Sequence, residues 1–125
     1  MSTPTKVVVV ESKDCLLIAY SDGQEYNLPA EFLRVYSPSA EVWGHGEGNE
    51  TLQFGKREVK ISSLEQAGNY ALQIVFNDGH DSGIYSWEYL QQLAENYDEK
   101  WARYLEEIHN AGLSRDQDAQ VIKLM

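Results

Sequence analysis

The side chains best suited to chemistry in this chain are its three histidines and its single cysteine, and their neighbours limit what each could do. His80 follows an Asp78-Gly79 pair and is flanked by the carboxylates of Asp78 and Asp81. Such neighbours can raise an imidazole's pKa, or hold one ring nitrogen so that the other faces a metal ion. A histidine after an Asp-Gly turn can equally hydrogen-bond the backbone and fix a hairpin, so both roles stand. His45-Gly46-Glu47 has the His-x-carboxylate spacing of the facial triad that holds non-haem iron, with His80 or His109 as the distal ligand. The spacing works because two ligands one residue apart in an extended segment point to the same side. Its host, however, is the glycine loop Gly44–Gly48, and no second carboxylate system accompanies it, so a catalytic iron centre is incomplete.

Nucleophilic catalysis finds less. Cys15 stands at the entrance of an apolar run, the place of a small buried hydrophobe. No serine sits in a Gly-x-Ser-x-Gly elbow, and residues 44–48 lack the lysine and following helix of a phosphate loop. One cysteine also excludes an internal disulfide and any Cys-x-x-Cys zinc knuckle, which implies a reducing compartment. Twenty acidic residues against ten basic ones give a net charge of −10, with no basic cluster longer than Lys56-Arg57. That surface repels phosphate backbones and anionic lipid, so neither nucleic acid nor membrane is expected as a partner; basic proteins and metal cations suit it better. No apolar run approaches the ~20 residues of a membrane span, and Met1–Lys6 lacks the features of a signal peptide, so a cytoplasmic location is expected.

The elements that must position these residues can be read from periodicity. A length of 125 residues with 42% apolar residues fits one core. Val7–Val10 reads as a strand, and Leu16, Ile18 and Tyr20 alternate into a second, which turns at Ser21-Asp22-Gly23-Gln24 and returns through Glu25–Leu28. Pro29 opens a short helix over 30–34, since its missing N–H has no partner at a helix start. Glu58–Ile61 resumes alternation and Ser62–Gly68 reads as the turn that closes it. Ala71–Phe76 is the clearest core strand, with Leu72, Ile74 and Phe76 on one face.

Aligning Asp22-Gly23 with Asp78-Gly79 sets Leu16, Ile18 and Tyr20 against Leu72, Ile74 and Phe76, and Leu28 against Ile84, each returning strand being followed by a helix. Ser86 can cap the second of these helices, whose stripe Trp87, Leu90, Leu93, Ala94, Tyr97, Trp101, Leu105, Ile108 steps by three or four residues. Asn96-Tyr97-Asp98 is its weak spot and Gly112 its terminator. The expected fold is α+β: a small, mostly antiparallel β-sheet built from two hairpin-plus-helix units, with one long C-terminal helix packed on it. Residues 1–6 form a disordered lead, 7–113 the domain and 114–125 a flexible tail.

Leu33-Arg34, Ser37-Pro38-Ser39-Ala40-Glu41, Gly44-His45-Gly46, Gly68-Asn69-Tyr70-Ala71 and the block Asp78–Trp87 together resemble the DUF971 family, the domain similar to the N-terminal domain of gamma-butyrobetaine hydroxylase, over residues 7–110. In those hydroxylases zinc is held by three cysteines of a Leu-Arg-x-x-Cys-Pro-Cys-x-x-Cys run and by the histidine after the later Asp-Gly. This chain has Ser37, Ser39 and Val42 at the cysteine positions, while Pro38 and His80 remain. The resemblance therefore implies a site without three of its four ligands, since hydroxyls are poor zinc ligands and valine is none. The iron and 2-oxoglutarate chemistry of the hydroxylases lies in a separate catalytic domain, and relatives fused to P-loop carriers are linked to iron–sulfur assembly.

The reading that follows is of a noncatalytic accessory or protein-interaction domain, with a protein partner or as a homodimer, tied to iron or iron–sulfur metabolism. Its rival is a metal-binding protein that takes iron or zinc through His80 and His45.

Overall fold

The computed structural model describes residues 3–39 and 52–116. Val42, His45, the Gly44–Gly48 loop and the apolar positions of the terminal segment lie outside the described residues. Strands β1 (Lys6–Val9), β2 (Cys15–Ala19) and β3 (Glu25–Pro29) form one antiparallel three-stranded sheet and lead into helix α1 (Ala30–Val35). Strands β4 (Ile61–Ala67), β5 (Ala71–Phe76) and β6 (Gly83–Ser86) form a second antiparallel sheet of the same order and lead into α2 (Trp87–Glu95) and α3 (Tyr97–Asn110). The α+β expectation and its two hairpin-plus-helix units are therefore present. The sheets are stitched by the Ile61 N–H donating to the Lys13 carbonyl at 2.8 Å. They share one core, in which Leu16, Ile18 and Leu28 of the first sheet meet Ile61, Ile74, Phe76 and Tyr85 of the second.

Local details depart from the periodicity. Ser62–Ala67, expected as part of a turn, is most of edge strand β4. A register shift between Ile61 and Ser63 interrupts the alternation, and exposed Ser62, Ser63, Glu65 and Gln66 give the strand the composition of a turn. Pairing with β5 overrides that composition. Ser86 caps α2 as expected, its Oγ accepting from the Tyr89 N–H.

The long helix is two helices, broken at Asn96, whose φ of −113° and ψ of 22° leave the helical region. Tyr104 and Ile108 are the buried residues of α3, whereas Leu105, placed inward by an unbroken helix, is exposed. Phe32 of α1 is the anchor for α3, with its ring centroid 4.7 Å from that of Tyr97 and 6.2 Å from that of Trp101. Ser114–Asp116, placed in the tail by the sequence, are fastened to the domain: the Gly55 N–H donates to the Ser114 carbonyl, and Arg115 makes a two-pronged ion pair with buried Glu31. Among the described residues no helix is long and apolar enough to cross a membrane.

Candidate functional site

His80 is positioned by a turn that the chain builds twice. In the first hairpin the Gly23 N–H donates to the Tyr20 carbonyl at 3.1 Å, the Tyr20 N–H to the Gln24 carbonyl at 2.9 Å, and Asp22 Oδ1 accepts from the Gln24 N–H at 3.0 Å. In the second, Gly79 donates to Phe76 at 3.2 Å, Phe76 to His80 at 2.9 Å, and Asp78 Oδ1 accepts from the His80 N–H at 3.2 Å. Gly23 and Gly79 hold φ of 90° and 91°, a left-handed conformation that only glycine adopts without strain.

The return strands then differ. Ile18 pairs with Tyr26, whereas its counterpart Ile74 pairs with Gly83, so the second hairpin holds one residue more. A one-residue offset exchanges the faces of a strand. Tyr85, not Ile84, therefore takes the inward place of Leu28: Tyr85 is fully buried and Ile84 is 51% exposed.

The His80 ring lies inside the protein, 4% exposed, against the ring of Phe76. Its Nε2 is 2.8 Å from Ser37 Oγ and 3.3 Å from Ser39 Oγ, both serines being buried just beyond α1. The Ser37 N–H donates back to the Arg34 carbonyl, which holds the segment to the helix end. Gly83 makes the room: a Cβ there would stand 2.6 Å from Ser37 Oγ and 3.5 Å from the Tyr85 hydroxyl. The Tyr85 hydroxyl donates to the Leu33 carbonyl at 2.5 Å. Burial pushes that phenol far above its ordinary range, against the smaller opposing effects of Ser37 and Arg34.

Asp78 connects this node to the surface. Its Oδ2 accepts from Arg34 Nε at 2.9 Å and from Lys56 Nζ at 2.8 Å. Burial works against its ionisation, but the Lys56 hydrogen bond, the His80 N–H and the charges of Arg34 and Lys56 outweigh it and hold the carboxyl below its usual range. Asp78, one of the two carboxylates expected to steer the imidazole, thus pairs with two cations and the turn backbone. Serines from another element touch the ring. The sequence reading missed Arg34, Lys56 and Tyr85 as partners, and the available signal was a glycine, Gly83, at the start of the returning strand β6.

Of the four zinc-ligand positions that the resemblance marks, the structure brings Ser37, Ser39 and His80 to one point, while Val42 is outside the described residues. Among the described residues the donor set does not fit zinc. Two ligands of a tetrahedral ion with bonds of ~2.0–2.1 Å lie about 3.3 Å apart, whereas Ser37 Oγ and His80 Nε2 are at direct hydrogen-bond distance. Neutral hydroxyls also supply no thiolate charge. Among the described residues, no group of three His, Cys, Asp or Glu side chains could hold a metal ion.

The Ser37–His80 contact has the spacing of a serine activated by a general base, but Ser37 is 0% exposed and offers a substrate no approach. Cys15 is half-buried, and burial together with Asp14 raises its thiol pKa, which opposes thiolate formation. A cleft of about 320 Å³ lies elsewhere, between β3 and the α2–α3 junction, where Tyr26, Glu95, Tyr97 and Asp98 contribute to its walls. None of Ser37, Ser39 and His80 lines it.

The geometry defines a domain of two hairpin-plus-helix units joined through a histidine held by two serines. The family model for the gamma-butyrobetaine hydroxylase-like N-terminal domain matches residues 7–91, and the chain belongs to that family. It is similar to a protein solved by NMR in solution, at 50% identity and a TM-score of 0.86, over 100% of this chain and 98% of that one. A second NMR structure is similar at 40% identity and a TM-score of 0.79, covering 99% of this chain and 90% of that one. A crystal structure of a protein of unknown function from Acidithiobacillus ferrooxidans, described as belonging to the DUF971 family, is similar at 31% identity and a TM-score of 0.60, over 73% and 91% of the two chains. No curated protein matches the chain.

Proposed function

We propose that the domain is a noncatalytic accessory module that works by binding protein, either a partner or a second copy of itself. The observation that carries this reading is an inversion of the usual arrangement. The side chains with chemical potential, Ser37, Ser39 and His80, are shut inside, while large apolar side chains of the second sheet stand outside. Tyr70, on the β4–β5 turn, is 68% exposed, and Ile84, on edge strand β6, is 51% exposed. Exposed aromatic and aliphatic groups are the anchors from which protein interfaces are built. The tie to iron or iron–sulfur metabolism rests on the family resemblance and names the kind of partner to seek.

The test compares wild type with Tyr70→Ser/Ile84→Ser in light scattering and in capture from a cell extract. The variant is expected to fold as wild type does and to lose the self-association or the captured protein, with affinity lowered by about tenfold or more on removal of the two anchors. A wild-type protein that is monomeric and captures nothing, or a variant that binds as before, overturns the reading.

A further inference from the structure

We infer that Ser37, Ser39 and His80 form a metal-independent clasp, in which hydrogen bonds between buried side chains fasten the end of the first hairpin-plus-helix unit to the turn of the second. The inference does not rest on the proposed function. It comes from the disagreement between the metal site that the family resemblance implies and the donors present here.

Three observations build the clasp. The two halves come from distant parts of the chain, Ser37 and His80 being 43 positions apart, so the contact is a cross-link between units and not a local turn bond. The surroundings are dry: Ser37, Ser39 and His80 are each at most 6% exposed, and a hydrogen bond between groups shielded from water is stronger than one at the surface. The space is shaped for an oxygen at this point, because Gly83 leaves out the one carbon that would strike Ser37 Oγ, at 2.6 Å. The Ser39 N–H adds a long contact of 3.4 Å to Ser37 Oγ, which orders the two serines relative to each other. A metal ion would have to separate Ser37 Oγ from Nε2, whereas the fold presses them together at 2.8 Å.

The experiment uses the full chain without a histidine tag. Thermal unfolding is measured in excess chelator and in excess zinc, and the two midpoints are expected to coincide. Zinc held at a hundred times its Kd would multiply the folded-to-unfolded ratio by about a hundred, so a zinc-dependent rise of several degrees overturns the clasp. So does zinc retained stoichiometrically through purification and lost on His80→Ala.

Ser37→Ala is expected to lower the midpoint by about 5 °C or more and to move the His80 Nε2 resonance in ¹⁵N spectra, because the ring loses the hydroxyl 2.8 Å from Nε2. A midpoint and a resonance both equal to wild type overturn the clasp. If Ser37→Ala does not fold, Ser39→Ala takes its place. The 3.3 Å contact predicts a smaller fall in midpoint and the same spectral movement, and their absence again overturns the clasp.

Discussion

The first Asp-Gly turn and the second make the same three hydrogen bonds and place glycine at the same left-handed φ, yet one ends in an exposed glutamine and the other in a buried histidine. The difference begins one residue later. The first hairpin returns directly, and Gln24 stays on the surface. The second inserts a residue before Gly83, which carries Gly83 and Tyr85 inward beside Ser37 and turns Ile84 out. Turn chemistry thus sets where a hairpin closes, and the register beyond it sets which turn becomes part of the core.

The two aspartates sharpen this contrast most. Asp22 accepts from the Gln24 N–H at an exposed turn, whereas Asp78 accepts from its turn and from both Arg34 and Lys56. Asp78→Ala is expected to destabilise the fold by about 2–3 kcal/mol in chemical denaturation, because it leaves the mostly buried Arg34 without its carboxylate. Asp22→Ala is expected to cost about 0.5–1 kcal/mol, the worth of one exposed hydrogen bond. Equal costs would break the comparison.

The acid limb gives a smaller effect with a definite sign. Asp78 has a pKa lowered in the folded state, so its contribution is complete above the ordinary carboxylate value and is lost as pH falls through the folded value. The stability gap between wild type and Asp78→Asn is therefore expected to be constant near neutrality and to narrow below about pH 4, as followed by urea midpoints at successive pH values. A gap that widens on acidification would reverse the assignment.

The smallest effect is a difference near zero. Gly23→Ala and Gly79→Ala each force a side chain onto a positive φ in open space, with no heavy atom within 4 Å of the added carbon. Each is expected to cost about 1 kcal/mol, the same at both turns within error. A much larger loss at Gly79 would show that the buried histidine reaches back into the turn itself.

The sequence made the paired turns legible because their determinants are local. An Asp-Gly pair between alternating apolar residues needs no distant partner to be recognised. Ser86 as a helix cap was visible for the same reason. Three things were not local. Ile84 appeared to match Leu28 because alignment from the turn cannot see a residue inserted after it. Strand β4 was hidden by its exposed serines, since an edge strand borrows its stability from the neighbour it pairs with. The serines on His80 were invisible to spacing arguments, and only the family resemblance put Ser37 and Ser39 on the same footing as the histidine. The expected carboxylate partner of the ring instead neutralises cations, because Arg34 and Lys56 converge on Asp78 from elsewhere in the chain.

Arg115 lies against the face of Trp101, with its guanidinium carbon 5.1 Å from the ring centroid, while its Nε and Nη2 donate to the carboxylate of Glu31, 84 positions earlier. Glu31 is buried and belongs to the first turn of α1. When residues 114–116 detach, a charge is left in the interior without its counterion, and that cost falls on α1. Residues 114–116 and the first helix are therefore bound to one another electrostatically, although periodicity alone would have assigned the former to a tail.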